Sequence, residues 1–330
     1  VTHYATEMTP NIVINAAKTC ILKNQRMPRK PILVVIVGPT AIGKTRMAIR
    51  LANAFQTEII SADSRQFFKE MRIGTAVPSA EELKAAKHHF IQHKSIHQPY
   101  TVGDFERDAL EQLNHIFKAH EIAVMVGGSG LYVDAVVKGL DKFPEVPAEV
   151  REVLVAQWKR DGIAALQHEL EATDPEYHET VDKQNPHRLI RALEIIRATG
   201  QPFSSFLDQE KPERPFETSY IGLTAPREIV YERINKRVDL MMAEGLLEEA
   251  KALFPHQSLN ALQTVGYKEL FRYFEGNWDL DTAVSEIKKN TRRFAKRQGT
   301  WFRKNDAIKW FDHTIDPHEV IAYIQQKNAL

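Results

Sequence analysis

The sequence has little of what marks extracellular, zinc-binding or membrane-spanning proteins. Its 330 residues contain a single cysteine, Cys20, which excludes a disulfide framework and a cysteine-based zinc site. No apolar run approaches the roughly 20 residues of a membrane-spanning helix. The formal net charge is only +1, so affinity for a polyanion has to come from local clustering of charge. These absences favour a cytoplasmic enzyme without a membrane partner, and the length suggests about two domains.

Residues 1–30 differ in composition from the rest of the chain. They carry five basic side chains against one acid, Glu7, and show no clear apolar period. We predict a disordered N-terminal extension ahead of the folded domains. The alternatives are a start assigned too far upstream, with Met27 as the initiator, and a targeting segment.

The next segment combines an apolar run with a glycine-rich loop. The run over 32–37 fits a buried strand, and a helical pattern follows the loop. The spacing Gly-x-x-x-x-Gly-Lys-Thr between them predicts a P-loop, whose backbone N–H groups surround phosphate oxygens while Lys44 reaches the terminal phosphates. The Thr45 hydroxyl is the predicted ligand of Mg²⁺. The predicted phosphate-binding residues are Gly38, Pro39, Thr40, Ala41, Ile42, Gly43, Lys44 and Thr45. Kinases, NTPases and transferases that expel diphosphate share such a loop, so the motif leaves the reaction open.

Strand and helix patterns alternate after this loop. Further strands are predicted over 58–63, 89–94, 122–126 and 219–224. Helices are predicted over 81–87, 102–120 and 227–251. The alternation is typical of an α/β protein with a P-loop NTPase-like, doubly wound parallel sheet. We assign residues 31–140 and 215–330 to this core and its C-terminal helices.

A helical insertion domain is predicted to interrupt the core over 141–214. Charged amphipathic patterns run over 148–170 and 186–199, and no strand pattern separates them. Proline-rich stretches at 143–147 and 211–215 mark its two ends.

Two strand ends carry candidate chemistry. Asp63 ends the predicted second strand, where a carboxylate beside phosphates either ligates Mg²⁺ or accepts a proton. A capping or surface role is the structural alternative for Asp63. Ser129 lies in the glycine turn after the strand over 122–126, where the backbone can approach a ligand closely. A turn with no role in binding stays open as well.

The predicted helix over 227–251 carries Arg227, Arg233 and Arg237. The last two are spaced i, i+4 and could form a fork for a departing diphosphate. A solvated helix face paired with acids is the alternative, and the pattern by itself favours it.

A basic segment over 288–304 has eight Lys and Arg residues, three aromatic residues and no acid. In a chain of almost zero net charge, this clustering indicates a polyanionic partner such as RNA. The alternative is an ordinary basic helix with Phe294, Trp301 and Phe302 in the core.

Taken in order, these motifs resemble the bacterial-type tRNA dimethylallyltransferases, also called tRNA isopentenyltransferases. The resemblance extends from about residue 31 to residue 310, and its specificity comes from the ordered set. Besides the P-loop it rests on Asp-Ser-x-Gln at 63–66, Ile-Gly-Thr-Ala at 73–76, His-His at 88–89, Tyr-x-Val-x-Asp-Phe at 100–105, Gly-Gly-x-Gly-Leu-Tyr at 127–132, Arg-x-x-Arg-Ala-Leu-Glu at 188–194, Val-Gly-Tyr at 265–267 and Lys-Arg-Gln-x-Thr-Trp at 296–301. Four positions depart from the family pattern: Ile42 stands where a small residue is common, Ser129 where Thr is frequent and Phe68 where Tyr is frequent, and Glu70 replaces a typical Gly.

The resemblance implies transfer of a dimethylallyl group from dimethylallyl diphosphate to N6 of an adenine 3′-adjacent to the anticodon of tRNA. It implies that Asp63 acts as general base, and that Lys44, Thr45 with Mg²⁺, and Arg237 stabilise the leaving diphosphate. Mg²⁺ is the expected cofactor. The expected partners are dimethylallyl diphosphate and the anticodon stem-loop of tRNA, and the protein is expected to be a monomer.

The same resemblance implies a set of tRNA-binding residues from separate segments of the chain. They are Asp63, Ser64, Arg65, Gln66, Ser129, Arg151, His187, Arg188, Leu189, Ile190, Arg191, Gln263, Thr264, Val265, Gly266, Tyr267, Lys268, Lys296, Arg297, Gln298, Gly299, Thr300, Trp301, Phe302 and Arg303.

Other classes of function remain possible from the sequence. A P-loop small-molecule kinase shares the phosphate-binding loop, and an adenylate isopentenyltransferase would use a free nucleotide as acceptor. A non-catalytic RNA-binding ATPase would use the basic segment alone. The sequence has no Asn-Lys-x-Asp motif for reading guanine, which argues against a GTPase.

Overall fold

The structure, a computed structural model, describes residues 30–328. The extension predicted over 1–30 therefore lies outside the described residues, apart from Lys30. The chain forms two compact units. The first contains the described residues up to Gln98, Glu111–Gly128 and the chain from Pro215 onward, and the second contains Pro99–Leu110 and Ser129–Arg214. Across 30–328, no helix has both the length and the apolar character needed to cross a membrane.

A six-stranded parallel sheet forms the centre of the first unit, with the strand order β3-β2-β4-β1-β5-β6. The strands are β1 Ile32–Val37, β2 Ile59–Ser61, β3 His88–His89, β4 Ile122–Val126, β5 Glu217–Thr224 and β6 Lys309–Asp312. All the residues of β1 are buried, which explains its unbroken apolar run, since parallel strands are covered on both faces. The predicted α/β class with a parallel sheet is confirmed.

Helices follow the strands of this unit. They are α1 Lys44–Ala54, α2 Ala80–Ala85, α9 Arg227–Ala243, α10 Leu246–Leu253, α11 Tyr267–Phe274, α12 Leu280–Phe302 and α13 Pro317–Lys327. A further helix, α3 Val102–Ile116, contributes residues to both units. In α1, Ala48, Leu51 and Ala52 are buried and pack with residues of β1 and β4 in one apolar cluster.

Several predicted boundaries in this unit were wrong. The strand predicted over 58–63 is reduced to β2, and the strand predicted over 89–94 is only β3. Phe90 and Gln92 have positive φ angles of 63° and 47°, which no strand accommodates. The helix predicted over 227–251 is two helices, α9 and α10, because Gly245 at φ 103° ends the first in the left-handed region. The strand β6 and the helix α13 were not predicted.

The second unit is helical. After α3 it contains α4 Gly130–Lys138, α5 Ala148–Asp161, α6 Ile163–Thr173, α7 Pro175–Thr180 and α8 Pro186–Thr199. The helix α8 begins at Pro186, after Asn185 caps the backbone N–H groups of the first turn. The pattern predicted over 148–170 is two helices, since Gly162 has φ 79°. No strand occurs among the residues of this unit, all of which are described.

This unit is larger than the insertion predicted over 141–214, because it also takes in Pro99–Leu110 and the chain from Ser129. Side-chain contacts account for the difference. The Arg214 guanidinium pairs with Glu106 in α3 and donates to the Ala135 carbonyl in α4 at 2.7 Å. The rings of Phe105 and Tyr132 lie 5.5 Å apart. These contacts join the beginning of α3 to α4 and both helices to Arg214 at the end of the unit.

Candidate active site

The strand order brings three turns of the first unit together. Because β4 lies between β1 and β2, the turn that begins at Gly127 lies between the glycine-rich loop after β1 and Asp63 after β2. Backbone bonds continue the sheet there: Ala62 N donates to Val126 O at 2.8 Å, and Gly127 N donates to Ile36 O at 3.2 Å. Ligands of such folds bind at this edge.

The glycine-rich loop turns sharply where it leaves β1. Gly38 has φ 144°, and a Cβ there would lie 2.5 Å from the backbone oxygen of Leu223 in β5. Gly43, in the left-handed conformation, is the N-cap of α1. The loop therefore curls over the N-terminus of α1, where unpaired N–H groups and the helix dipole favour an anion.

The Lys44 ammonium group lies within this loop. Its Nζ donates to the Pro39 carbonyl oxygen at 2.8 Å. Burial and the nearby positive charge of Arg237 lower the pKa of Lys44 from 10.5 to about 7, although the charge of Asp63 acts in the opposite direction. Both effects disfavour the charged form: burial removes the water that solvates the ammonium group, and Arg237 repels it. A bound anion would supply that charge.

Two arginines of α9 reach the same loop. Arg237 Nη1 donates to Thr40 Oγ1 at 3.4 Å, and Arg233 Nη1 donates to the Ile42 carbonyl at 3.2 Å. Burial lowers the pKa of Arg237, partly offset by the charges of Asp63 and Glu82. The solvated-face alternative is wrong for these two residues. Arg227 differs, since its guanidinium lies over the Tyr231 ring.

Asp63 is held in a turn after β2. Its Oδ1 accepts the Arg65 N–H at 3.0 Å, so one carboxylate oxygen caps the local turn. Its charge acts on both Lys44 and Arg237. Asp63 therefore combines the capping role with a position in the electrostatic field of the candidate anion site.

Two residues predicted to bind tRNA hold this turn from either side. Arg65 Nη1 donates to the carbonyl oxygens of Asn260 and Ala261 at 2.9 and 3.0 Å. Gln66 Nε2 donates to those of Thr75 and Ala76 at 3.1 and 2.9 Å. Both side chains therefore bond to the protein's own backbone. They support the Asp63 turn in this arrangement.

Glu249 in α10 was not identified from the sequence. Its carboxylate accepts backbone N–H groups from Arg72, Ile73 and Gly74 at 2.8 to 3.1 Å. It also accepts the Tyr267 hydroxyl at 2.6 Å. Only the Ile-Gly-Thr-Ala motif at 73–76 could have pointed to this contact. The motif does not show which acidic side chain accepts its backbone N–H groups.

Tyr267 is fully buried, so its phenol ring is not accessible at the surface. Burial and the charge of Glu249 both raise its pKa. The predicted direct tRNA contact by the Tyr267 side chain therefore conflicts with its position. The preceding Gly266 N–H donates to Glu269 Oε2 at 2.8 Å, and Asn290 of α12 donates to Glu269 Oε1 at 2.8 Å. These bonds fix the loop that carries Gln263, Thr264 and Val265, and the start of α11 with Lys268, next to α12.

The basic segment forms the C-terminal part of α12 up to Phe302 and continues through Arg303 and Lys304 after the helix. Arg293, Lys296, Arg297 and Arg303 are exposed, and the exposed fractions of Phe294 and Trp301 are 39% and 41%. Phe302 and Gln298 are buried at 4% and 5% exposure. The core alternative thus holds for Phe302 but not for Phe294 or Trp301. Direct tRNA contact by the side chains of Phe302 and Gln298 conflicts with their burial. Gly299 and Thr300 lie on the same helix between them.

In the second unit, Glu194 of α8 ties together two of the predicted tRNA-binding arginines. The Glu194 carboxylate, itself buried, accepts from Arg151 at 2.7 Å and pairs with Arg191. Leu189 and Ile190 are fully buried, so their side chains pack in the helical core and face no RNA. Arg188 is exposed, and the His187 ring packs edge-on against Trp158. Ser129 also belongs to this unit, as the N-cap of α4.

Glu70, where the family typically has Gly, has a clear structural role. Its carboxylate accepts the Ser95 hydroxyl at 2.6 Å and the Ile96 N–H at 3.0 Å. These hydrogen bonds hold the pKa of Glu70 below its usual value against the opposing effect of burial. Phe68 is buried at 6% exposure, where a phenol oxygen would need a partner.

The donors available to Mg²⁺ are few. Within residues 30–328, no group of three or more His, Cys, Asp or Glu side chains is placed to hold a metal ion. Mg²⁺ typically uses one or two protein ligands and completes its shell with water and substrate phosphates. The Thr45 hydroxyl, in the first turn of α1, and the Asp63 carboxylate, just after β2, fit that mode of binding.

The fold and this site define a class before any comparison is made. A parallel α/β sheet, a glycine-rich loop between its first strand and helix, and a lysine and arginine pair at that loop characterise P-loop proteins, which act on phosphorylated ligands. Solved structures agree. The chain is similar to the tRNA isopentenylpyrophosphate transferase of Bacillus halodurans at 38% identity and a TM-score of 0.69, covering 91% of this chain and 97% of that one. It is also similar to a eukaryotic dimethylallyltransferase acting on tRNA at 25% identity and a TM-score of 0.74, covering 90% of this chain and 77% of that one.

The sequence comparisons narrow the class to a family. Residues 66–305 match the family model described as IPP transferase. The tRNA dimethylallyltransferase of Christiangramia forsetii is 61% identical over 295 residues, which is 89% of this chain and 98% of that protein. That of Flavobacterium johnsoniae is 55% identical over 298 residues, 88% of this chain and 96% of that protein. The chain belongs to the IPP transferase family, whose members are prenyltransferases.

Proposed function

We propose that this protein transfers a dimethylallyl group from dimethylallyl diphosphate to N6 of an adenine 3′-adjacent to the anticodon of tRNA. The observation that carries the proposal is the convergence of Lys44, Arg237 and Asp63 at the glycine-rich loop of a chain from this family. Lys44 and Arg237 have lowered pKa values that a bound anion would raise, and the charge of the Asp63 carboxylate acts on both.

The loop is suited to a leaving group. In the reaction the allylic C–O bond breaks and its electron pair stays on the diphosphate oxygen. Lys44 Nζ, the Arg237 guanidinium and the N–H groups at the start of α1 stabilise the charge that develops there. Bound Mg²⁺, held by Thr45, would neutralise further charge on the diphosphate.

The adenine amine needs a base, because its lone pair is delocalised into the ring. As the new N–C bond forms at the allylic carbon, the Asp63 carboxylate accepts the proton that N6 loses. An adenine stacked in the anticodon loop cannot reach this site, so the base is flipped out of the stack. The hydrogen bonds of the Arg65 and Gln66 side chains fix the turn that carries Asp63 and so keep its carboxylate in place for this step.

The exposed basic residues at the C-terminal end of α12 and just after it supply phosphate contacts to the RNA. Lys296, Arg297 and Arg303 offer charge, while Trp301 offers a face for stacking. In the second unit, Arg151, Arg188 and Arg191 are also proposed to contact the tRNA. We further propose that the protein acts as a monomer in the cytoplasm, with Mg²⁺ as cofactor.

The test is a single incubation followed by nucleoside analysis. The protein, Mg²⁺, dimethylallyl diphosphate and unmodified tRNA are combined, and the digested tRNA is examined by mass spectrometry for N6-prenylated adenosine. AMP as acceptor and ATP as donor are run in parallel. Prenylated AMP without prenylated tRNA would indicate an adenylate isopentenyltransferase, and ATP consumption without a prenylated product would indicate a kinase or ATPase.

A further inference from the structure

The Gln298 side chain points away from the other polar residues of the basic segment. It lies on α12 among Arg297, Gly299 and Lys296, but it is only 5% exposed. Its Oε1 accepts the Thr40 backbone N–H at 2.8 Å, from a residue 258 positions away in the chain. Its Nε2 donates to the Gly128 carbonyl at 2.9 Å in a buried environment. One amide thus joins α12 to the glycine-rich loop and to the turn after β4.

Both bonds depend on the particular chemistry of an amide. Asn and Gln present a carbonyl acceptor and an NH₂ donor side by side on one planar group, and the longer Gln reaches both loops here. A carboxylate could accept from Thr40 but could not donate to Gly128. Lysine could donate but could not accept. The two loops are therefore held at a distance set by one amide plane.

Gly128 shows how close this approach is. A Cβ at position 128 would lie 2.2 Å from Gln298 Nε2, well inside van der Waals contact. The next group it would meet is Lys44 Nζ at 3.8 Å, which is an ordinary contact distance. Any side chain at 128 therefore displaces the Gln298 amide before it disturbs the anion site itself.

We propose that Gln298 is a positioning residue that holds the phosphate-binding loop in its anion-binding conformation and connects that loop to the basic helix. This inference rests on the proposed function only in taking the loop as a diphosphate site. It assigns Gln298 to the diphosphate side of the reaction, whereas the family resemblance placed it among the tRNA contacts. Its loss should impair diphosphate binding and leave tRNA binding intact.

The experiment measures two dissociation constants on each variant, for inorganic diphosphate with Mg²⁺ by calorimetry and for tRNA by filter binding. The variants are Gln298→Ala, Gln298→Met, Gly128→Ala and the double change of Gly128 and Gln298 to Ala. Gln298→Met keeps the buried volume while removing both hydrogen bonds. The control is Gln167→Ala in α6, which removes a similar side-chain amide hydrogen bond, to the Lys183 carbonyl, in the second unit.

We expect Gln298→Ala and Gln298→Met each to weaken diphosphate binding by about tenfold or more, the effect of losing one to two hydrogen bonds of a buried amide. Gly128→Ala should weaken it comparably because its methyl group displaces the amide. In the double variant the clash partner is gone, so the loss should not exceed that of Gln298→Ala alone. The tRNA constant should change less than about twofold in every variant that retains the folded far-UV spectrum.

Three results would overturn the inference. Unchanged diphosphate binding in both Gln298 variants would leave no positioning role. Tighter binding would mean that the amide competes with the anion for the Thr40 N–H. Weaker tRNA binding with normal diphosphate binding would return Gln298 to the RNA side. If the unaltered protein binds no diphosphate, the proposed function fails instead, and the two failures are thereby distinguished.

Discussion

Proton uptake at Lys44 on diphosphate binding is the sharpest quantitative consequence of the site. In the free protein, burial and Arg237 lower the pKa of Lys44 to about 7. A bound diphosphate places negative charge next to Nζ and favours the protonated form, which raises the pKa. The sign follows directly: a group whose pKa rises on binding takes up a proton, and the affinity it supports weakens as pH increases.

The magnitude follows from the two limiting values. At pH 8 a lysine with a pKa of about 7 is only about one-tenth protonated. If the anion restores the ordinary value of 10.5, binding at pH 8 takes up about 0.9 proton at this site. The same linkage weakens diphosphate affinity about fiftyfold between pH 7 and pH 9.

The assay is isothermal titration calorimetry of inorganic diphosphate in buffers that differ in ionisation enthalpy. The slope of the observed enthalpy against the buffer enthalpy gives the number of protons taken up. Diphosphate itself titrates in this range, so the matched control is Lys44→Arg, which keeps a positive charge that does not titrate. The difference between the two slopes at pH 8 should be about 0.9 proton. Equal slopes for the two proteins would refute the assignment of a lowered pKa to Lys44.

Three other predictions follow from the site and its supports. Asp63→Asn should reduce single-turnover prenyl transfer by about 10²-fold or more while tRNA affinity stays within about twofold, since the amide accepts no proton but can still accept the Arg65 N–H; a normal rate would remove Asp63 from the base role. Reversing the charges of Arg293 and Arg297 to Glu should weaken tRNA binding and reduce the salt slope by about two, measured by filter binding over a salt series, with Lys327→Glu in α13 as control; an unchanged slope would argue that this face does not touch phosphate. Glu249→Gln should lower the free energy of unfolding in urea by about 1–3 kcal/mol, because an amide nitrogen would face backbone donors. The exposed Glu248→Gln should leave that free energy within about 0.5 kcal/mol, and equal effects at both positions would contradict the anchoring role.

Several parts of the fold were predictable because they depend on residues close together in the chain. The buried runs of β1 and β4 stand out as apolar strands, and α8 has a proline and a capping Asn185 at its start and Gly200 at its end. The breaks at Gly162 and Gly245 were missed, since an amphipathic pattern continues past a glycine whose φ angle the sequence does not reveal. The strand β3 was predicted too long because the sequence does not reveal the positive φ angle of Phe90, which ends it.

The candidate site divides in the same way. The glycine-rich loop with Lys44 and Thr45, and Asp63 after β2, were identified from spacing and from the family resemblance. Which basic residues reach the loop was not decided by pattern, and the helical spacing of Arg233 and Arg237 equally suited a solvated face. Among residues predicted to bind tRNA, Leu189, Ile190, Tyr267 and Phe302 proved to be buried.

The sequence by itself determined the α/β class and the family and predicted a phosphate-binding loop, because such a loop is a continuous segment whose glycines, lysine and threonine act through their spacing. Only the tertiary structure decided what surrounds that loop. The helices α9 and α12 reach the loop from distant parts of the chain through Arg233, Arg237 and Gln298. On α12, Gln298 is buried whereas the adjacent Arg297 is exposed. The physical reason is that burial, hydrogen-bond partners and shifted pKa values depend on which elements pack together. No local pattern carries that information.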